Sequence, residues 1–398
     1  MTRFLFPILS LVFVGMGLSD PLLGAAWPTM GEEFRVPLAY GGIPLMIFSA
    51  CIAVSVLFSG KLLRLLGAWE VVTISAVLSA AALLGYAMSD SFWMLCLCAV
   101  PCGLGAGGMD AALNHYAATH YPSRYMNWLH GLWGAGACLG PLLMGGVLAW
   151  GAGWRGGYQI AGLAQIAVTA VLFCTLPLWD RERAAGPETE SLPLSLRDVL
   201  RLPGAKQGVV FFFFYSTIEQ TAGLWASTYL AEAKGFSPEQ AAGAAGLFVL
   251  GLTGGRAAGG CLAKRLTDTQ MIRLGEVMAA LGLLCLLLPG PPALALLGLL
   301  ALGLGCAPAY PCILHATPGR FGASRSQAVM GVQMAAAYGA ACVMPPLIGA
   351  LAGHTAFALL PCYLLAALAV MAAAHRRLNR QAPASPRKNE AVSLPGGT

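Results

Sequence analysis

The sequence predicts an all-α membrane protein of twelve transmembrane helices, arranged as two six-helix halves related by a pseudo-two-fold repeat. Three observations carry this. Of 398 residues, 58% are hydrophobic and only 10% charged, whereas roughly a quarter of a soluble domain is charged. Apolar runs recur at about the twenty residues a helix needs to cross the hydrocarbon core. Matching residues also reappear in order about 200 positions apart. Such a composition cannot cover the surfaces of two or three soluble domains. It excludes a soluble enzyme, a nucleic-acid binder and a disulfide-stapled secreted module. No metal-ligand cluster, nucleophile elbow or phosphate-cradling loop is present, so neither an enzyme nor a cofactor is expected.

Reading the runs in order gives spans at 4–30, 41–62, 70–88, 92–118, 125–150, 156–178, 207–230, 239–262, 271–289, 292–316, 327–352 and 355–374. The first run is too long for a signal-peptide core and continues through Asp20, so it counts as a span. Turn-like joints such as Ser89-Asp90-Ser91 and Pro289-Gly290-Pro291-Pro292 separate several spans. The resulting domains are a first half at 1–179, a polar linker at 180–206, a second half at 207–375 and a tail at 376–398. The 12 cysteines lie mostly inside apolar runs, as small buried hydrophobes do.

The net charge of +6 is explained by orientation. With both termini in the cytoplasm, nineteen of the 23 Lys and Arg fall on that side. Three (Arg35, Arg155 and Lys234) fall outside, and Arg256 lies within a span. That asymmetry is the positive-inside pattern. It predicts a multi-pass protein of the plasma or inner membrane, monomeric, with no nucleic-acid partner.

The internal repeat is specific. Asp20-Pro-Leu-Leu-Gly24 aligns with Glu219-Gln-Thr-Ala-Gly223, Gly103-Leu-Gly105 with Gly303-Leu-Gly305, and Pro141 with Pro345. Two six-helix halves in parallel repeat resemble the major facilitator superfamily, which implies a substrate site between the halves near the bilayer midplane. The loop Gly60-Lys-Leu-Leu-Arg64-Leu-Leu-Gly67 resembles that superfamily's Gly-x-x-x-Asp-Arg-x-Gly signature but replaces its Asp by Arg64. Gly134-x-Gly136 and Gly140-Pro141 in span 5 supply close backbone approach and a bend.

Acids inside spans are the strongest functional signal, because a charge at the bilayer centre costs roughly 3 kcal/mol or more. Asp20, Asp110 and Glu219 are such acids. A carboxylate withdrawn from water favours its neutral form, which suits proton carriage. The structural alternative is a paired or neutral group bonded to a neighbouring helix. Spans 4 and 5 turn near Pro122, which places Asp110 and His130 within about 6 Å in depth at 1.5 Å per residue. They could share a proton, or His130 could bond a backbone carbonyl. His115 and His315 lie near span ends and read as interfacial. Arg256 could snorkel to the cytoplasmic edge, act as a gate, or pair with Glu219.

Aromatic and amide side chains among these acids suit a sugar or other polar solute, held by stacking and by paired hydrogen bonds. The candidates are Trp27, Asn114, Trp133, Tyr215, Gln220, Trp225, Tyr229, Tyr310 and Gln333, and about half are expected to reach a cavity. Phe211–Phe214 read as lipid-facing or packing residues.

Four segments resemble a narrower branch, the fucose permease-like sugar:proton symporters. They are Gly15-Met-Gly-Leu-Ser-Asp20-Pro-Leu-Leu, Gly103-Leu-Gly-Ala-Gly-Gly-Met-Asp110-Ala-Ala-Leu-Asn114, Tyr215 to Tyr229, and Gly251-Leu-Thr-Gly-Gly-Arg256. The resemblance implies proton coupling at Asp20 and Asp110 and cavity lining by Asn114, Glu219 and Trp225. The expected function is therefore proton-coupled symport of a small polar solute, foremost a sugar, by alternating access. Efflux by proton antiport is the alternative.

Overall fold

The computed structural model describes residues 2–120, 123–175, 195–263, 265–354 and 356–381. Every element among them is helical. The first half holds α1 (Thr2–Ser19), α2 (Leu22–Glu33), α3 (Gly42–Leu65), α4 (Ala68–Ala87), α5 (Phe92–His120), α6 (Ser123–Ala149) and α7 (Gly153–Thr175). A short α8 (Leu196–Arg201) precedes the second half. That half comprises α9 (Ala205–Lys234), α10 (Pro238–Leu262), α11 (Asp268–Leu287), α12 (Pro292–Cys306), α13 (Ala309–Phe321), α14 (Ala323–His354) and α15 (Leu360–Gln381).

Eleven of the twelve crossings are long and apolar enough to span a membrane by length and composition. The twelfth is α9, which at 30 residues is long enough. Its apolar run is diluted by the Ser, Thr, Glu and Gln between 216 and 221.

Two spans differ from the continuous helices expected. Span 1 breaks into α1 and α2 at Asp20-Pro21, and span 10 into α12 and α13 at Ala307-Pro308. In both, proline lacks an amide hydrogen and crowds the carbonyl four residues back. The last span runs on to Gln381, beyond the expected edge at 374. Within the expected linker, Ser195 caps α8, and Val199 is buried with Val329 against Phe321. Residues 180–194 of that linker, 382–398 of the tail, and the Pro122 turn lie outside the described residues.

Lipid is as apolar as leucine, so helices in a bilayer associate by close packing rather than by burial from water. The glycines show how. A β-carbon on Gly103 would sit 2.3 Å from the carbonyl oxygen of Phe48, and one on Gly303 would sit 2.0 Å from that of Phe248. One on Gly105 would lie 2.6 Å from the Ser75 carbonyl, and one on Gly305 2.6 Å from that of Gly275. Each pair is offset by 200 residues at both partners, so the two halves repeat in three dimensions as well as in sequence.

The first half is stitched at the end away from the termini. Arg155 pairs with Glu33, donates to the Ser89 carbonyl at 2.8 Å and stacks on Trp154, whose indole donates to Glu33 at 2.6 Å. The second half is stitched at the terminal end. His315 meets Asp268 at 2.8 Å, and Arg320 donates to Asn379 at 2.6 Å. His375, fully buried, meets Glu276 at 2.9 Å.

The halves meet chiefly at the end away from the termini. A β-carbon on Gly24 would lie 2.5 Å from the Gly223 carbonyl, and one on Gly42 2.3 Å from Pro346 Cα. One on Gly145 would lie 2.8 Å from the Gly243 nitrogen, and Ser227 donates to the Ala25 carbonyl at 3.2 Å. These approaches reach inward as far as Gly134 against Thr253, near the middle of the bundle. Beyond that point His130 is exposed and Arg256 keeps about a third of its side-chain surface. The cavity therefore opens toward the end carrying Thr2 and Gln381.

Candidate transport site

The break in span 1 creates the first part of the site. Ser19 turns its hydroxyl back onto the Met16 carbonyl at 2.9 Å, closing α1, and Asp20 stands in the gap before Pro21. The α6 helix approaches α1 through glycine. A β-carbon on Gly17 would lie 2.0 Å from the Trp133 carbonyl, and one on Gly136 2.1 Å from that of Val14. This contact brings the Trp133 indole to donate to Asp20 at 3.0 Å. Asp20 stays exposed at the edge of a pocket that opens to solvent. Polar groups on its walls include Ser79, Tyr86, Tyr158 and Gln165.

One turn of helix links Asp110 to Asn114, whose amide donates to the carboxylate at 2.8 Å. His130 lies within electrostatic range of Asp110, as the hairpin geometry suggests, and its ring packs edge-on against Phe13 at 5.6 Å. No hydrogen bond joins Asp110 and His130 among the described residues. Across the cavity, Tyr310 and Tyr338 of the second half also lie within range of Asp110.

Glu219 and Arg256 form the opposite wall. The guanidinium meets the carboxylate at 3.3 Å and donates to the Tyr215 hydroxyl at 3.4 Å. Snorkelling is thus corrected: Arg256 turns inward, because a carboxylate within reach competes with the distant interface. Its field extends to His130 in the first half.

The expected solute-binding side chains divide into two groups. Asn114, Trp133, Gln220 and Tyr310 are part-exposed. Tyr215 is buried apart from its reach to Arg256. Trp27, Trp225 and Tyr229 are buried, and each donates to a backbone carbonyl: Leu38 at 2.6 Å, Pro345 at 2.9 Å, and Leu286. Their indole and phenol groups close the bundle rather than face the cavity. Gln333 is likewise buried, against Thr317 at 3.4 Å. Phe211 and Phe212 are fully buried packing residues. The side chains of His115, Lys61, Arg64 and Lys264 lie outside the described set.

Sequence reasoning missed Gln165, Tyr86, Tyr158 and Tyr338. Gln165 carried a signal, since it is one of two amides in an otherwise apolar span. The tyrosines carried none, being indistinguishable in sequence from interfacial aromatics.

The sequence matches the profile of the Major Facilitator Superfamily over residues 9–345 and 212–395. The chain belongs to the major facilitator superfamily. Its structure shares the fold of superfamily-type transporters solved before. It superposes on a nucleoside transporter NupG (D323A mutant) with a TM-score of 0.76 at 14% identity, over 95% of this chain and 100% of that one. A peptide transporter POT in complex with alafosfalin gives 0.75 at 16% identity, over 96% of both chains. A bacterial homologue of the human lysosomal transporter Spinster, solved inward-facing and unoccupied, gives 0.74 at 13% identity, over 96% of this chain and 99% of that one. In sequence, "Bypass of stop codon protein 6" of Saccharomyces cerevisiae is 25% identical over 287 residues, 65% of this chain. The chain spans 57% of that relative's length. As a superfamily member the protein is a multi-pass membrane transporter and not an enzyme.

Proposed function

We propose that the chain is a proton-coupled secondary transporter of a small polar solute, with Asp20 and Asp110 carrying the protons. The observation that carries this is the uneven neutralisation of three acids near the bundle centre. Glu219 has Arg256 at 3.3 Å. Among the described residues, the donors bonded to Asp20 and Asp110 are neutral, Trp133 and Asn114. Two carboxylates without a permanent cation cannot cheaply pass through an occluded, dehydrated state unless something neutralises them. Protons do so, and their binding then gates the rocking of one half against the other.

Sugar symport is one version. It rests on the fucose permease-like resemblance and on Asn114, Trp133, Gln220 and Tyr310 as available hydrogen-bonding and stacking groups. Exchange of protons for an outgoing solute is the second. One observation favours it: the pocket beside Asp20 is walled mostly by apolar side chains.

The test uses purified protein in liposomes with a trapped pH dye. Monosaccharides, disaccharides, a dipeptide, a nucleoside and organic cations are supplied in turn. Solute-dependent proton movement is expected, lost in Asp20→Asn and in Asp110→Asn while both variants keep a wild-type unfolding transition. Undiminished proton movement in both variants would overturn the assignment.

A further inference from the structure

The pocket beside Asp20 discriminates among solutes by charge. We infer that the solute it takes carries a protonated amine on a compact apolar body, with the ammonium seated on Asp20. This rests on the transport reading above and names its substrate class.

The charge balance comes first. Asp20 lines the pocket with one oxygen engaged by Trp133 and the other open. Among the described residues, the charged group within electrostatic range of Asp20 is a second acid, Asp110 on α5. The titratable neighbours on the other packed helices are Tyr86 on α4, Cys102 on α5 and Tyr158 on α7, all neutral when protonated. Arg256 is committed to Glu219 on the far wall. Among the described residues, an anionic solute would therefore meet two carboxylates with no free Lys or Arg to receive it, and like charges repel.

The walls come second. Eight of the fourteen lining residues are apolar, Phe48 and Met109 among them, and the Ser19 hydroxyl is already bonded to its own helix. A hexose would leave several hydroxyls facing hydrocarbon, each a buried group without a partner. An ammonium needs only a few acceptors. The open carboxylate oxygen supplies one, and Gln165, whose amide oxygen lies beside Gly15 of α1, adds a further acceptor to the pocket lining. The Tyr86 and Tyr158 rings, packed on each other at 5.1 Å between centroids, add two phenol groups and no charge to the same lining. An aromatic or branched aliphatic body is matched by apolar lining residues such as Phe48, Leu83 and Met109.

Because an ammonium and a proton neutralise the same carboxylate, they exclude one another at Asp20. Amine binding to the protonated site releases one proton to solvent, and the O–H bond of Asp20 is replaced by an N–H···O contact. No oxidant or further reactant is needed.

Calorimetric titration of the purified protein with 2-phenylethylammonium, 2-phenylethanol, phenylacetate and fucose tests this. Each titration is run in two buffers of different ionisation heat, so that proton release is read directly. The ammonium is expected to bind at least about tenfold tighter than the alcohol, with phenylacetate and fucose silent. Binding should vanish in Asp20→Asn, survive in Asp20→Glu, and weaken several-fold in Gln165→Leu, which keeps every charge. Equal binding of the alcohol, binding of fucose or phenylacetate in place of the amine, or undiminished amine binding in Asp20→Asn overturns the inference. Amine binding lost in Asp20→Asn but without proton release supports the amine and overturns proton coupling. Proton-linked binding of fucose alone does the reverse.

Discussion

Arg256 and Glu219 form the one ion pair described on the cavity wall, and their surroundings decide what it is worth. Glu219 keeps 16% of its side-chain surface and Arg256 35%, so water from the open cavity screens the pair. A coupling of about 1 kcal/mol is expected rather than the several kcal/mol of a fully buried pair. A double-mutant cycle of Arg256→Gln and Glu219→Gln, read by thermal unfolding in detergent, checks this. Each single change should destabilise more than the double change does relative to it, since the lone survivor is left without its partner. Strict additivity would show that the 3.3 Å contact carries no energy. Asp20 belongs to the other wall, where its donor is the Trp133 indole. Trp133→Phe keeps an aromatic ring and removes the N–H together with the five-membered ring that carries it. Loss of one hydrogen bond to a carboxylate should lower proton-coupled flux several-fold while leaving expression intact. Unchanged flux would reduce Trp133 to packing.

At the scale of elements, the broken helices matter most. Pro21 interrupts span 1 beside Asp20, and Pro308 interrupts span 10 near Tyr310, which faces Tyr215 at 6.3 Å between ring centroids. A membrane helix tolerates such a break only where polar groups or a cavity satisfy the freed backbone. Restoring continuity with Pro21→Ala should raise thermal stability, by up to about 3 kcal/mol if the missing helical bond forms. It should also rotate Asp20 away from Trp133 and so reduce flux. A variant both more stable and fully active would mean that the break serves no function. Interruptions at Asp20-Pro21 and Pro308 were visible as prolines in the sequence. Their consequence was not, because Pro7, Pro101 and Pro141 sit inside helices that stay continuous.

For the whole molecule, the seam of small residues at the end away from the termini is the structural counterpart of a closed gate. Gly24, Gly42 and Gly145 let backbone meet backbone across the halves. Leucine at Gly24 or Gly145 leaves no room for that contact, whereas a half that is free to rock open accommodates it. Spin-label distances between the loops near 36 and 236 should lengthen by several ångströms in Gly24→Leu, and transport should fall at least about tenfold. Unchanged distances would show that the seam yields locally instead of setting the conformational balance.

The sequence by itself determined the membrane location, the helical class, the repeat and the three intramembrane acids. Each rests on a one-dimensional property: composition, run length, offset, or the cost of a charge among apolar neighbours. Asp110 with His130 was legible too, since a hairpin converts counting into depth. Tertiary structure alone decided the partners. Arg256 could snorkel or pair, and only the approach of α9 to α10 put Glu219 within reach. Trp27, Trp225 and Tyr229 looked like cavity aromatics until their donors were found on the carbonyls of Leu38, Pro345 and Leu286. The buried His375–Glu276 pair spans 99 residues of chain and has no local signature. The physical reason is common to all of these. A helix presents every side chain at a known height, but which neighbour it meets depends on helix rotation and crossing, set by contacts such as Gly17 against Trp133 that no single span contains.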